Sequence, residues 1–580
     1  MLLWFMRMTP IRQLSSRNVT RNMNRYLYVS PCSFAFASHC GTITVLRMKD
    51  SCNARIEKKG AMVASSFARA ICSVVAIAII IHGACFGQAP DGAASTPGGL
   101  ESGRRLAQIW CQRCHLFPEP SLLPRSEWMR GVLPGMALLL GVSRLNLEKR
   151  PDGAILLEAG IFPAAPLLAN TDWHAIVSYY SNAAPETVEP PKRIESVTDL
   201  FVARPLLRSS DAPCTSLLQI DPEARRIYVG DAQTRTLRVS DYRGNVLKEW
   251  KTDSGPVSLS RVDGNLLVTL IGRILPSDEL TGQVWQLDGQ GGDGEPVRLL
   301  RGLRRPVQTQ IVRLENLNKP ALVVACFGNR LGRLSMFTPA DGGSFSERVI
   351  AEGTGTVRCL PYDWNGDGLM DLTVLRAQGR EGADLYINMG AGQFKRHVLW
   401  DDPPTYGNVF FELTDFDGDG RPELVVVNGD NGDFKCGPRP CHGVRVYSVD
   451  LNLKAEKRFQ YPIPGAYHAR AADFDLDGDI DIAVVAYFPD YEHGFNQSFV
   501  LLKNEGGWKF SAHTMPGLSQ GRWILMDAAD LDGDGDTDLV LGSFSRGPLT
   551  VPVPAALSQE WERDRVAVLL LENTTRKAGK

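Results

Sequence analysis

Positive charge is not in excess in this chain. Its 580 residues hold 63 Lys and Arg against 65 Asp and Glu, a formal net charge of −2, which gives no reason to expect nucleic acid or an anionic membrane surface as a partner. Long apolar runs are also scarce. The strongest, Ile71–Ile81, is too short for a comfortable membrane span. No Ser/His/Asp order, phosphate-binding glycine loop or pair of acids outside the acidic loops described below stands out, so no convergent catalytic set is visible. What remains is ordinary globular composition, 44% hydrophobic and 22% charged. The length exceeds what one core organises and predicts two or more domains.

The charge is unevenly placed, with Arg and Lys crowding the first sixty residues and Asp the second half. Lys58, Lys59 and Arg69 precede the apolar run, and small residues from Gly83 to Ala89 follow it. Basic start, short apolar core and small exit residues make a signal-peptide pattern and predict export to the periplasm or the cell surface. Gly83-Ala84-Cys85 resembles a lipoprotein site, but His82 stands where an aliphatic residue is wanted, so a lipid anchor is not favoured. Residues 1–89 are read as leader. Within it, 1–61 resemble no fold and are read as an upstream translation start before Met62, the alternative being a long leader.

Cys111-Gln-Arg-Cys114-His115 reads as a c-type haem attachment site, in which two thiols add to the porphyrin vinyl groups and the imidazole becomes the proximal iron ligand. The competing reading is a redox or zinc-type Cys-x-x-Cys. The flanks favour haem. Leu100–Trp110 has helical spacing and delivers the cysteines at its C-terminal end, and Leu116–Pro120 is extended, proline-rich chain. A carbonyl there is expected to accept the Nδ1–H of His115. Met136 is the expected distal ligand, on a constrained, non-helical approach set by Pro134-Gly135. Met129 is assigned to packing, and His174 is the competing ligand. A second helix from Thr171, capped by Thr171 or Asp172, closes the domain. Residues 100–186 resemble a small cytochrome c domain. The short run from His115 to Met136 departs from many members of that family.

Twelve cysteines are present, five of them in the leader. Beyond the haem motif stand Cys214, Cys326 and Cys359, read as buried core, and Cys436 and Cys441, which either close a small disulfide loop or remain loop thiols. Residues 187–196 are proline-rich and read as a stiff spacer.

The second half is a repeat. Acidic loops begin at Asp363, Asp415, Asp473 and Asp530, spaced 52, 58 and 57 residues apart, and each runs straight into an apolar strand. Side chains at positions 1, 3, 5 and 9 of each loop can converge on one centre, with the position-7 carbonyl as a further ligand and glycine at position 6 permitting the turn. The expected ligands are Asp363, Asn365, Asp367 and Asp371; Asp415, Asp417, Asp419 and Glu423; Asp473, Asp475, Asp477 and Asp481; and Asp530, Asp532, Asp534 and Asp538. These hard oxygen donors favour Ca²⁺; the competing reading is solvated turns. Three weaker copies, at Leu217–Gly230, Val257–Leu270 and Val312–Ala325, keep the strands and lose the carboxylates. Four copies plus three predict seven blades over 197–575. This stretch resembles the FG-GAP/VCBS family of seven-bladed β-propellers. The long loop Asn428–His442 is a candidate binding face, His442 being read as a surface histidine and His468 as structural.

The expected fold is therefore multidomain, a small all-α haem domain (100–186), a linker and an all-β seven-bladed propeller. The expected function is exported electron transfer through haem c, with a Ca²⁺-braced propeller that binds a redox partner protein, a carbohydrate or another protein. The alternatives are a haem-linked dehydrogenase acting on a sugar, alcohol or similar substrate, and an extracellular adhesion protein.

Overall fold

The computed structural model describes residues 97–289, 294–314, 319–437, 439–491, 495–547 and 550–578. The leader assigned to 1–89, with its apolar run, lies outside them. Among the described residues, no helix is long and apolar enough to cross a membrane.

Seven four-stranded antiparallel sheets account for residues 201–573. In six of them four consecutive strands run from the centre outward: β2 (Thr215–Asp221) to β5 (Val246–Lys251), then β6 (Pro256–Val262) to β9 (Val297–Leu303), β10 (Pro306–Val312) to β13 (Phe345–Glu352), β14 (Thr356–Tyr362) to β17 (Phe394–Asp401), β18 (Asn408–Thr414) to β21 (Ala455–Pro462) and β22 (Ala466–Ala472) to β25 (Phe510–Thr514). The seventh combines β26 (Trp523–Ala529), β27 (Asp538–Ser543) and β28 (Val566–Asn573) with β1 (Phe201–Arg208), the first strand of the chain. Phe201 pairs with Asn573 and Arg208 with Val566, so the two ends of the propeller are sewn together by backbone hydrogen bonds. That closure removes the free edge a ring of sheets would otherwise leave.

Burial follows position in the blade. Second strands such as β19 (Glu423–Asn428) and β23 (Asp481–Ala486) are buried at every residue, because both faces pack on a neighbouring blade, and their sequences are runs of Val, Ile, Leu and Ala. Outer strands such as β5 and β21 (Ala455–Pro462) are charged and largely exposed, which blunts pairing with other chains. One apolar cluster fills each of the seven blade interfaces. All seven innermost strands share one irregularity, a bulge between their first and third residues. The third blade corrects one expectation. Its inner strand, β10, is Pro306–Val312, not 312–315; no cluster of aspartates marks that turn in the sequence.

The helical segment precedes the propeller. Helix α1 (Pro97–Cys111) packs on α4 (Asn170–Ala183) through Gly103, where a Cβ would lie 2.4 Å from the Ala175 carbonyl oxygen. Between them lie α2 (Leu133–Leu139) and α3 (Gly153–Glu158). Trp128 stacks on Tyr180 with centroids 4.3 Å apart, and their polar tips reach the carbonyls of Pro120 (2.9 Å) and Pro118 (2.8 Å). This ties the extended Leu116–Pro120 segment to the helices. Helix α4 begins at Asn170, one residue before the expected cap, and neither Thr171 nor Asp172 caps it. The C-terminal end of the 187–196 stretch meets the propeller, where the Ser196 carbonyl accepts the Thr514 N–H. Ile194 is buried among fifth- and sixth-blade residues, and Val197 bridges Thr514.

Candidate functional site

The cysteine-histidine motif sits where α1 ends. Cys111 is the last helical residue, and the Cys114 N–H approaches its carbonyl at 3.5 Å, so the chain turns back and brings the motif into one turn. Both cysteines are free thiols. Burial pushes the Cys111 thiol up to about 11, against the Tyr180 hydroxyl, which favours its thiolate. His115 Nδ1 lies 2.7 Å from the Leu116 carbonyl oxygen. A carbonyl only accepts, so this contact sets the proton on Nδ1 and leaves the Nε2 lone pair for a metal. Burial also lowers the His115 pKa, which favours the neutral, ligating imidazole. The donor set of two thiols and a neutral imidazole with a fixed tautomer therefore fits a c-type haem.

Met136 is half-buried, but its approach differs from expectation. Pro134, Gly135 and Met136 all lie within α2, which continues a π-helical turn over Trp128–Val132. The Leu133 N–H bonds to the Trp128 carbonyl, an i→i−5 step. A widened turn of this kind accommodates a proline that lacks its own donor, so the sequence does not break there. Met129 lies in the π turn, and it and His174 are exposed.

The segment leans on the propeller through three blades. Arg380 Nε donates to the Cys114 carbonyl (2.7 Å), the Asp278 N–H to buried Asp152 (3.3 Å) and the Lys435 N–H to Glu127 (3.0 Å). Phe434 and Cys436 join the helical core. All these propeller residues lie in loops joining second to third strands, whereas the acidic loops join first to second. Antiparallel strands put the two sets on opposite faces of the ring. Cys436 and Cys441 are free thiols, Cys436 buried beside Asn431. Cys436 belongs to this interface. His442 is buried, not superficial, with Nδ1 facing the Gly465 N–H at 3.3 Å. Cys214, Cys326 and Cys359 are buried, as expected.

The four acidic loops share one geometry. The position-1 carboxylate gathers loop amides: Asp363 accepts from Gly366, Asp367 and Gly368, and Asp415, Asp473 and Asp530 do the same in their loops. The position-6 glycines have φ of 86°, 85°, 99° and 92°, the left-handed turn expected of them. Position 9 opens the second strand and is buried in every copy. Asp481 Oδ2 accepts the Phe474 N–H at 3.1 Å and Oδ1 the Asn504 N–H at 2.8 Å, and Asp371 and Asp538 repeat the pattern with Asn388 and Asn573. Burial pushes Asp481 up to about 7 and Asp538 to about 6, with these N–H groups opposing, and raises Asp371 and Glu423 as well.

Carboxylate oxygens of positions 1, 3 and 9 lie within 4.8 Å of one another in three loops: Asp415, Asp417 and Glu423; Asp473, Asp475 and Asp481; and Asp530, Asp532 and Asp538. These groups could bind calcium. Asn365 gives the first loop an amide in place of one carboxylate, its Nδ2 donating to Asp367. The position-5 residues Asp367, Asp419, Asp477 and Asp534 fall outside the three groups and instead accept the position-7 N–H. Lys503 Nζ lies 2.5 Å from Asp475 and 3.9 Å from Asp477, a cation already in the third loop.

The sequence reading missed the asparagines. Asn388, Asn504 and Asn573 end third strands, and each also donates its amide to the position-8 carbonyl, clamping loop to strand. Their recurrence at strand ends was the available signal. Blade five lacks one and has Glu423 at position 9.

An FG-GAP-like repeat model matches residues 363–426 and 473–541, the segments that begin at the first and third acidic loops. The chain thus carries FG-GAP repeats within a seven-bladed β-propeller. No curated protein matches it. Among solved structures, the N-terminal domain of Nup159 aligns with TM-score 0.38 and 11% identity, over 66% of this chain and 98% of that one. A chain from the Saccharomyces cerevisiae complex of a Dbp5 variant with Nup159, a Gle1 variant, IP6 and ADP aligns with TM-score 0.38 and 9% identity, over 65% and 98%.

Proposed function

We propose that this is an exported electron-transfer protein in which a haem c, held by Cys111, Cys114 and His115, lies beside a Ca²⁺-braced propeller that binds a partner or ligand. The observation that carries this reading is the motif itself: two free thiols and an imidazole whose Nδ1 is held by the Leu116 carbonyl, on a turn tied to the propeller by Arg380. A haem held there would supply one-electron chemistry. The chain's own residues do the rest. Cys111 and Cys114 anchor, His115 ligates through Nε2, Leu116 fixes its tautomer, and Met136 is the proposed distal donor. Ca²⁺ in the acidic loops is structural in this account, because the loops recur one per blade and each leads into a buried strand. The test is expression in a host competent in haem attachment, followed by haem staining on a denaturing gel. Stain should follow the wild-type chain and vanish when both cysteines become serine. Stain that survives the double substitution contradicts the assignment.

A further inference from the structure

We propose that the central channel of the propeller binds a small oxyanion, a carboxylate or a phosphate, through Arg358. Arg358 lies on β14 (Thr356–Tyr362), the inner strand of the fourth blade, at the residue that follows the shared bulge. Its Nε is buried with no hydrogen-bond partner, while the residue as a whole is half-buried. The guanidinium face lies over the Phe410 ring at 4.5 Å. Stacking occupies only that face. The five N–H donors point outward in the plane, the arrangement that takes an oxyanion in bidentate fashion.

The other charges here are already spent on one another. Arg470 reaches Glu412 at 3.1 Å and Asp527 at 2.9 Å. Glu412 further accepts the Ala471 N–H (2.6 Å) and Asp527 the Ile220 N–H (2.7 Å). Arg358 makes no ion pair with this set; Arg470, of like sign, acts on it most strongly, and Glu412 and Asp527 act on it in the favourable sense. His468 adds no counter-charge: it stacks on Phe410 at 3.7 Å, and burial keeps it neutral. On the adjoining inner strand Gln308 accepts the Cys359 N–H (2.7 Å) and turns its amide to Gln310 Oε1 (3.5 Å). A buried guanidinium N–H without an acceptor is costly. An oxyanion at this place would supply the missing partner. The inference does not depend on the haem.

The test is isothermal titration of the full chain with acetate, succinate and inorganic phosphate at constant ionic strength, in wild type, Arg358→Met and Arg470→Met. At least one anion should bind wild type at one site and bind Arg358→Met at least about tenfold more weakly, as the loss of a charged hydrogen-bonded contact implies. The succinate, acetate and phosphate arms distinguish carboxylate from phosphate. Arg358→Met should lower the melting temperature far less than Arg470→Met, because Arg358 makes no ion pair, whereas Arg470→Met strands two carboxylates. The proposal is overturned if no anion binds wild type, if binding is equal in Arg358→Met, or if Arg358→Met is as unstable as Arg470→Met.

Discussion

The acidic loops contain two kinds of carboxylate, and replacing one of each in the third loop should separate them. Asp481→Ala removes the acceptor of two buried backbone donors, the N–H groups of Phe474 and Asn504. Each such group left unsatisfied costs about 1–3 kcal/mol, so the variant should lose about 2–6 kcal/mol whether or not metal is present. Asp475→Ala removes an ion pair to Lys503, whose side chain is 37% exposed. A pair of that kind contributes about 1 kcal/mol or less, so in chelator this variant should be close to wild type. Excess Ca²⁺ reverses the comparison. One site filled at a hundredfold over its Kd adds about 2.7 kcal/mol, and Asp475→Ala should forfeit most of its loop's share. The assay is urea unfolding of the full chain, followed by tryptophan fluorescence, in chelator and in Ca²⁺. Equal, mild losses for both variants in chelator would refute the division of labour. A full Ca²⁺ gain in Asp475→Ala would show that the third loop holds no ion.

Met136→Ala should remove the weak sulfur-to-iron band of the oxidised protein and lower its potential; if Met129→Ala does so instead the assignment fails, and if neither does, His174 becomes the candidate. Lys503→Met should raise the Ca²⁺ affinity of the third loop in a direct titration, because the ammonium 2.5 Å from Asp475 no longer competes, and unchanged affinity would count against metal at that loop. Leu476 holds φ of 60° where the other three loops have Gly366, Gly418 and Gly533 at 73°, 72° and 87°. Relief of about 1–2 kcal/mol of left-handed strain, less about 0.5–1 kcal/mol of added chain entropy, should make Leu476→Gly stabilising by up to about 1.5 kcal/mol in thermal melts, and a clear destabilisation contradicts this.

The blades that carry carboxylates were legible because a repulsive cluster of acids is tolerated only in a defined turn, and the position-6 glycine and following apolar strand recur with it. Where the acids are missing the reading slipped, as at Pro306–Val312, an inner strand that alternation alone does not distinguish from its neighbours. The closing strand Phe201–Arg208 was hidden for another reason. Its partner lies at the far end of the chain, and local pattern is silent about that. At the cysteine motif, the helix before it and the extended chain after it were readable. The approach to Met136 was not, since a proline normally stops a helix and only the π turn over Trp128–Val132 carries the chain past it. The docking of the helical segment rests on Arg380, Phe434 and Cys436, residues with no periodic signature. Asn388, Asn504 and Asn573 looked like ordinary strand ends until the position-9 carboxylates were seen against them.

The central claim is a covalent haem at the turn that ends α1. Intact mass and peptide mapping of the chain purified from a host competent in haem attachment test it most directly. The account predicts the added mass of one haem, confined to the peptide containing Cys111 and Cys114, with a c-type absorption spectrum. An unmodified mass with both thiols free, in a host that loads other c-type cytochromes, would contradict it.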